Sequence, residues 1–123
     1  MIGKAYVSIT PFYDRNKKDM SFKKRPVLVI GQADKDDYIV LPISKISFST
    51  NIDSYYDIPL EIGDYPLLNL KCKSYIRTHK QTVIHKGELV REITDFRKNY
   101  EEAYLDTLCK VEEFQKKLIE HAI

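Results

Sequence analysis

Lys24-Arg25-Pro26-Val27-Leu28-Val29-Ile30-Gly31-Gln32 is the stretch on which the fold turns. From Pro26 to Ile30 it is an unbroken apolar run rich in β-branched residues, the pattern of a central strand buried on both faces. A polar turn follows at residues 33–37, and Tyr38 to Ser44 (YIVLPIS) reads as a second buried strand pairing back on the first. Upstream, Ala5, Val7 and Ile9 alternate with Tyr6, Ser8 and Thr10, the period of a half-buried strand that Pro11 ends or sets at an edge. Between these strands, Tyr13 to Lys24 (YDRNKKDMSFKK) is polar, basic and aperiodic, which predicts a long loop of the kind that often carries function.

Downstream, residues 45–54 read as loop or a short helical turn, and Tyr56, Ile58 and Leu60, alternating with Asp57 and Pro59, predict an edge strand. After a turn through Gly63, Asp64 and Pro66, residues 70–77 and 81–85 read as two further strands. About six short strands at this spacing predict a small SH3-like barrel or a curled antiparallel sheet. Near Gly87 the period changes: Leu89, Val90 and Ile93 suit a short helix, and Asn99 with Glu102 suits a capping box. Tyr104, Leu108, Val111, Phe114 or Gln115, and Leu118 then follow helical spacing. The expected class is mainly β with one or two helices, the C-terminal one packed on the barrel.

At 123 residues the chain has room for one domain, residues 1–123. Its 43% hydrophobic and 31% charged residues exclude disordered and fibrous classes. No apolar run approaches the roughly 18 residues of a membrane span, and MIGKAYVSITPF lacks a signal peptide's apolar core, so a soluble, cytoplasmic protein with no membrane partner is expected. Cys72 and Cys109 stand outside any metal or redox spacing and read as reduced, buried thiols. The phosphate-binding glycine motifs, HExxH and GxSxG are absent, which argues against nucleotide-driven and metal-dependent enzymes; no cofactor is expected.

Charge is segregated along the chain. Residues 13–25 carry six cations against two acids and residues 70–91 six against one, whereas residues 33–69 carry two against seven and residues 92–123 five against eight. If the two basic blocks meet, they make a cationic groove on a nearly neutral protein; otherwise the lysines solvate two loops. Arg25 stands at the mouth of the central strand, where a guanidinium held on a strand end can grip a phosphate through two hydrogen bonds. An arginine at a strand entrance is also common surface decoration.

The chain resembles the PemK/MazF toxins, the endoribonuclease halves of bacterial type II toxin-antitoxin pairs. The resemblance covers nearly the whole chain and rests on four features: the opening strand after Gly3, the basic stretch running into Lys24-Arg25-Pro26-Val27-Leu28-Val29-Ile30, the strand end Leu41-Pro42-Ile43-Ser44, and Ile76-Arg77-Thr78 before Gln81. It implies a homodimeric barrel that binds single-stranded RNA and cuts it without metal, inhibited by an acidic, partly disordered antitoxin. It also implies a catalytic pair at Arg25 and Ser44.

Attack by a ribose 2′-hydroxyl needs a proton acceptor, a proton donor for the leaving 5′-oxygen, and positive charge for the phosphorane between them. Arg25 supplies the charge and Ser44 a hydrogen bond to phosphate; His79, in the second basic block, titrates near neutrality and is the candidate acid or base. Some relatives carry an acidic residue just after their Arg-Thr element, where this chain has His79-Lys80. Lys17, Lys18, Lys23, Lys24, Arg77, Lys80 and Gln81 are the candidates for substrate binding, Lys73 is a further phosphate contact, and Tyr13 and Phe22 are open to base stacking, with Phe12 read as core. The alternatives are a gyrase poison of the related CcdB type and a plain RNA-binding barrel.

Overall fold

The computed structural model describes residues 1–123. Seven strands form one curled antiparallel sheet, a half-barrel, closed at one end by the C-terminal helix. They are β1 (Lys4–Asp14), β2 (Asp19–Asp34), β3 (Asp37–Ser44), β4 (Asp57–Leu60), β5 (Ser74–Arg77), β6 (Thr82–His85) and β7 (Leu89–Asp95). The order is β4-β5-β3-β2-β1-β7, with β6 pairing the first half of β3. Pro59 sits on the edge strand β4, where a missing N–H is harmless.

The apolar run of β2 is buried on both faces. Leu28 joins Ala5, Leu41, Ile43, Ile76 and Phe96 in the main core, while Val27 and Val29 join Val40 in a smaller cluster under Tyr6, Tyr38, Ile84 and Leu89. Alternate residues of one strand therefore serve two cores. Gly3 fixes the start of the sheet: its φ is +87°, its N–H donates to Val29 and its carbonyl accepts from Arg97. A Cβ there would lie 2.7 Å from that of Arg97, so both geometry and space require glycine.

Residues 13–24 are not a loop. β1 and β2 stay paired from Ala5–Leu28 to Asp14–Asp19, so the segment is the outer half of a long hairpin, with its turn at Arg15–Lys18. Asp14 Oδ1 accepts from the N–H groups of Asn16 and Lys17, and Lys18 takes a left-handed conformation at φ 55°. Beyond Ser8 no third strand covers β1, which is where Pro11 falls. Both faces of this two-stranded arm are solvated, so its sequence has no reason to alternate. Phe12 lies under Lys23 Nζ, 4.7 Å from the ring centre, and belongs to neither core cluster.

Residues 89–95 form a strand, not the expected helix. β7 pairs β1 with two register shifts, at Ala5/Tyr6 and Val7/Ser8, and these bulges break the two-residue period that would have announced it. The Asn99–Glu102 capping box does not form. Asp95 caps the short helix α1 (Phe96–Asn99) by accepting from Lys98 N–H, Asn99 donates to Thr94 Oγ1, and α2 (Glu101–Ala122) starts without a side-chain cap.

The first half of α2 packs through Tyr104, Thr107, Leu108 and Val111, and Phe114 meets Tyr56 edge to face at 5.2 Å. Tyr55 reaches across to Glu113 with its hydroxyl and lies beneath Lys110. The last turns carry Leu118 and Ile119 exposed. Neither cysteine is buried: Cys72 is half-buried and Cys109 exposed. No helix is long and apolar enough to cross a membrane.

Candidate nucleic-acid interface

The β2–β3 ladder runs through Val29–Val40, Leu28–Leu41 and Val27–Pro42, a register that, continued, would set Arg25 directly opposite Ser44. It stops at Pro42, which has no N–H to give. From there the strands diverge: Arg25 pairs with Ser8 of β1, and Ser44 with Tyr75 of β5. A cleft of about 560 Å³ is lined by Lys24, Arg25 and Pro26 of β2 and by Ile43, Ser44 and Lys45 at the end of β3. Leu68 to Lys71, Ser74, and Val7, Arg91 and Ile93 of the neighbouring strands complete it.

Two features hold the walls. Buried Ser8 donates its hydroxyl to the Arg25 carbonyl at 2.9 Å, fixing the backbone from which the guanidinium projects. On the far side, Asn69 adopts the left-handed conformation, φ 55°, after the 3₁₀ turn Pro66–Leu68.

Both basic blocks reach this cleft, Lys24 and Arg25 from the first and Lys71 and Arg91 from the second, with Lys45 from the acidic stretch between. No carboxylate, imidazole or thiol lines it. None of its five cations is used in an ion pair; the ion pairs join Lys4, Lys73, Arg77, His79 and Lys86 to acids elsewhere. Uncompensated cations around an apolar lining make a surface for a polyanion with apolar parts.

The other predicted residues are dispersed. Lys17 and Lys18 form the turn of the hairpin arm, Lys23 sits over Phe12, and exposed Gln81 is absent from the cleft lining. Lys73 pairs with Glu61. Lys80 lines a second pocket with Arg77. Arg77 itself is spoken for: its Nε and Nη2 donate to the fully buried carboxylate of Asp57 at 3.1 and 3.4 Å, and Nη2 also donates to the Asn51 carbonyl at 3.0 Å. Asp57 further accepts from Asp53 N–H.

His79 belongs to this buried cluster and not to the cleft. Its ring packs against both Tyr56 and Phe114, with Nδ1 unpaired and 3.8 Å from Asp57 Oδ1. Burial pushes its pKa below the ordinary 6.5, against the opposing pull of Asp57, a carboxylate that Arg77 already neutralises. As pH falls, the unfolded chain takes this proton first. The His79 contribution to stability is therefore present above about pH 6.5 and lost as pH falls through the lower folded value. In urea titrations between about pH 7 and pH 5, His79→Gln should flatten the decline in stability. An unchanged slope would show that the imidazole is not buried in its neutral form.

Sequence reasoning missed Lys45, Lys71 and Arg91 in the cleft and Phe48 beside it. Only the count of charge by blocks pointed towards Lys71 and Arg91. Compared with known proteins, the chain matches no protein-family model and no curated protein.

Proposed function

We propose that the cleft binds single-stranded RNA and cuts it by attack of a ribose 2′-hydroxyl, in the manner of the PemK/MazF toxins that the sequence resembles. The observation that carries this reading is that Arg25 and Ser44 line one cleft, which holds five unpaired cations and no acid. The 2′-oxygen bonds to phosphorus and the bond from phosphorus to the 5′-oxygen breaks, leaving a 2′,3′-cyclic phosphate and a 5′-hydroxyl. Arg25 balances the growing phosphorane charge, and Ser44 donates a hydrogen bond to a non-bridging oxygen. With no group in the lining that ordinarily titrates near neutrality, the 2′-proton leaves to water and water protonates the 5′-oxygen. An acidic, partly disordered antitoxin would compete for the same cations, and a homodimer would place two such clefts on one particle.

Purified protein incubated with unstructured RNA in EDTA should yield fragments ending in 2′,3′-cyclic phosphate. Binding should weaken with salt at a log–log slope of about −3.5 if all five cations reach phosphates. Binding with that slope but without cut products would favour the second reading, a plain RNA-binding barrel, which the lack of an acid or base in the cleft supports.

A further inference from the structure

A second pocket of about 480 Å³ adjoins the cleft and shares Lys45 with it. Its lining includes Phe48, Asn51, Arg77 and Lys80. Phe48 is 70% exposed and takes part in no aromatic pair or cation–π contact. Both faces of a ring this exposed are open to a stacking partner.

Asn51 is held in place with unusual care for a residue on an exposed turn. Its N–H donates to the Phe48 carbonyl at 2.9 Å, and its own carbonyl accepts from Arg77, which is anchored in turn on buried Asp57. One short 3₁₀ turn, Ser49–Asn51, thus fixes the backbone of Asn51 against that of Phe48, and both residues line the pocket beside the lysines Lys45 and Lys80.

We infer that this pocket is a base subsite: an unpaired nucleobase stacks on Phe48 and is read along its edge by the Asn51 amide, while the adjoining phosphate rests on Lys45. The inference depends on the cleft being an RNA site and extends that reading to base recognition. Stacking tolerates any base, whereas an amide carries both a donor and an acceptor and can prefer one base edge over another. The cations around the ring favour a nucleic acid over an apolar protein segment. Arg77 acts here as a positioning residue, through the Nη2–H that it donates to the Asn51 carbonyl while Nε and Nη2 hold Asp57.

The test compares a fluorescent single-stranded RNA of about ten nucleotides with inorganic polyphosphate, a polyanion without bases. Phe48→Ala should weaken RNA binding between about five- and a hundredfold and leave polyphosphate binding unchanged, and Phe48→Tyr should restore RNA binding. Asn51→Asp should change the preferred base at one position of a randomised RNA pool.

Equal losses on both probes, no loss on RNA, or wild-type protein that binds polyphosphate but not RNA would each overturn the base subsite. Self-association of wild type in sedimentation that Phe48→Ala abolishes would overturn it too, by assigning the ring to a protein contact. If RNA binding depends selectively on Phe48 but no cut product appears, the subsite stands and only the cleavage reading fails.

Discussion

Arg25→Ala should lower RNA cleavage by at least about 10²–10³-fold, the usual loss when one preorganised donor to a transition-state oxyanion is removed. The fold should survive, because the Arg25 side chain is exposed and Ser8 bonds to the backbone carbonyl, which alanine keeps. Arg25→Lys separates charge from geometry: a lysine retains the point charge but loses the two-pronged grip on phosphate, so activity should fall between wild type and alanine. Rates of 5′-labelled RNA cleavage in EDTA, with circular dichroism as the fold control, give the answer. Wild-type rates in a folded Arg25→Ala protein would end the proposed role of the guanidinium.

Asp57→Ala is expected to destabilise the protein by about 3 kcal/mol, the lower end of the range for breaking a buried ion pair, since the Arg77 side chain keeps 22% of its surface in water. The loss has two sources. The guanidinium loses its buried acceptor, and Asp53 N–H, which closes the turn before β4, loses its own. Replacing both partners with apolar residues, Asp57→Leu with Arg77→Met, should recover much of it, because no charge is then left buried. Urea unfolding of the single and double variants measures the effect. A single-variant loss below about 1 kcal/mol would mean that the pair is solvated in solution.

The central part of the fold was legible because burial writes itself into composition. Val27 to Ile30 had to be apolar at every position, since Leu28 faces one core and Val27 and Val29 the other. The hairpin arm was not legible for the opposite reason: with solvent on both sides, Asp19 to Lys24 carries no periodic signal although every residue of it stays in register with β1. β7 was hidden by its bulges, and the cap on α1 fell to Asp95 because the chain turns four residues earlier than the Asn99 pattern suggests.

The candidate site was half legible. Arg25 and Ser44 share a cleft because a register written in the β2–β3 ladder brings their strands together, whereas charge counting left open whether the basic blocks meet or solvate two separate loops. Arg77 and His79 were misplaced because a strand end presents alternate residues to opposite sides. Nothing in the local sequence announced that Asp57, twenty residues before Arg77, would bind its guanidinium, or that His79 would pack beside the pair.

The parting of β2 and β3 at Pro42 also has an evolutionary consequence. The guanidinium and the hydroxyl are anchored to separate neighbours, one to β1 and the other to β5. Substitutions on the β4–β5 side can therefore widen, narrow or reshape the gap without disturbing the strand that bears Arg25. If the cleft is the RNA site proposed above, descendants of such a scaffold could exchange one target for another while the strand that carries Arg25 stayed untouched.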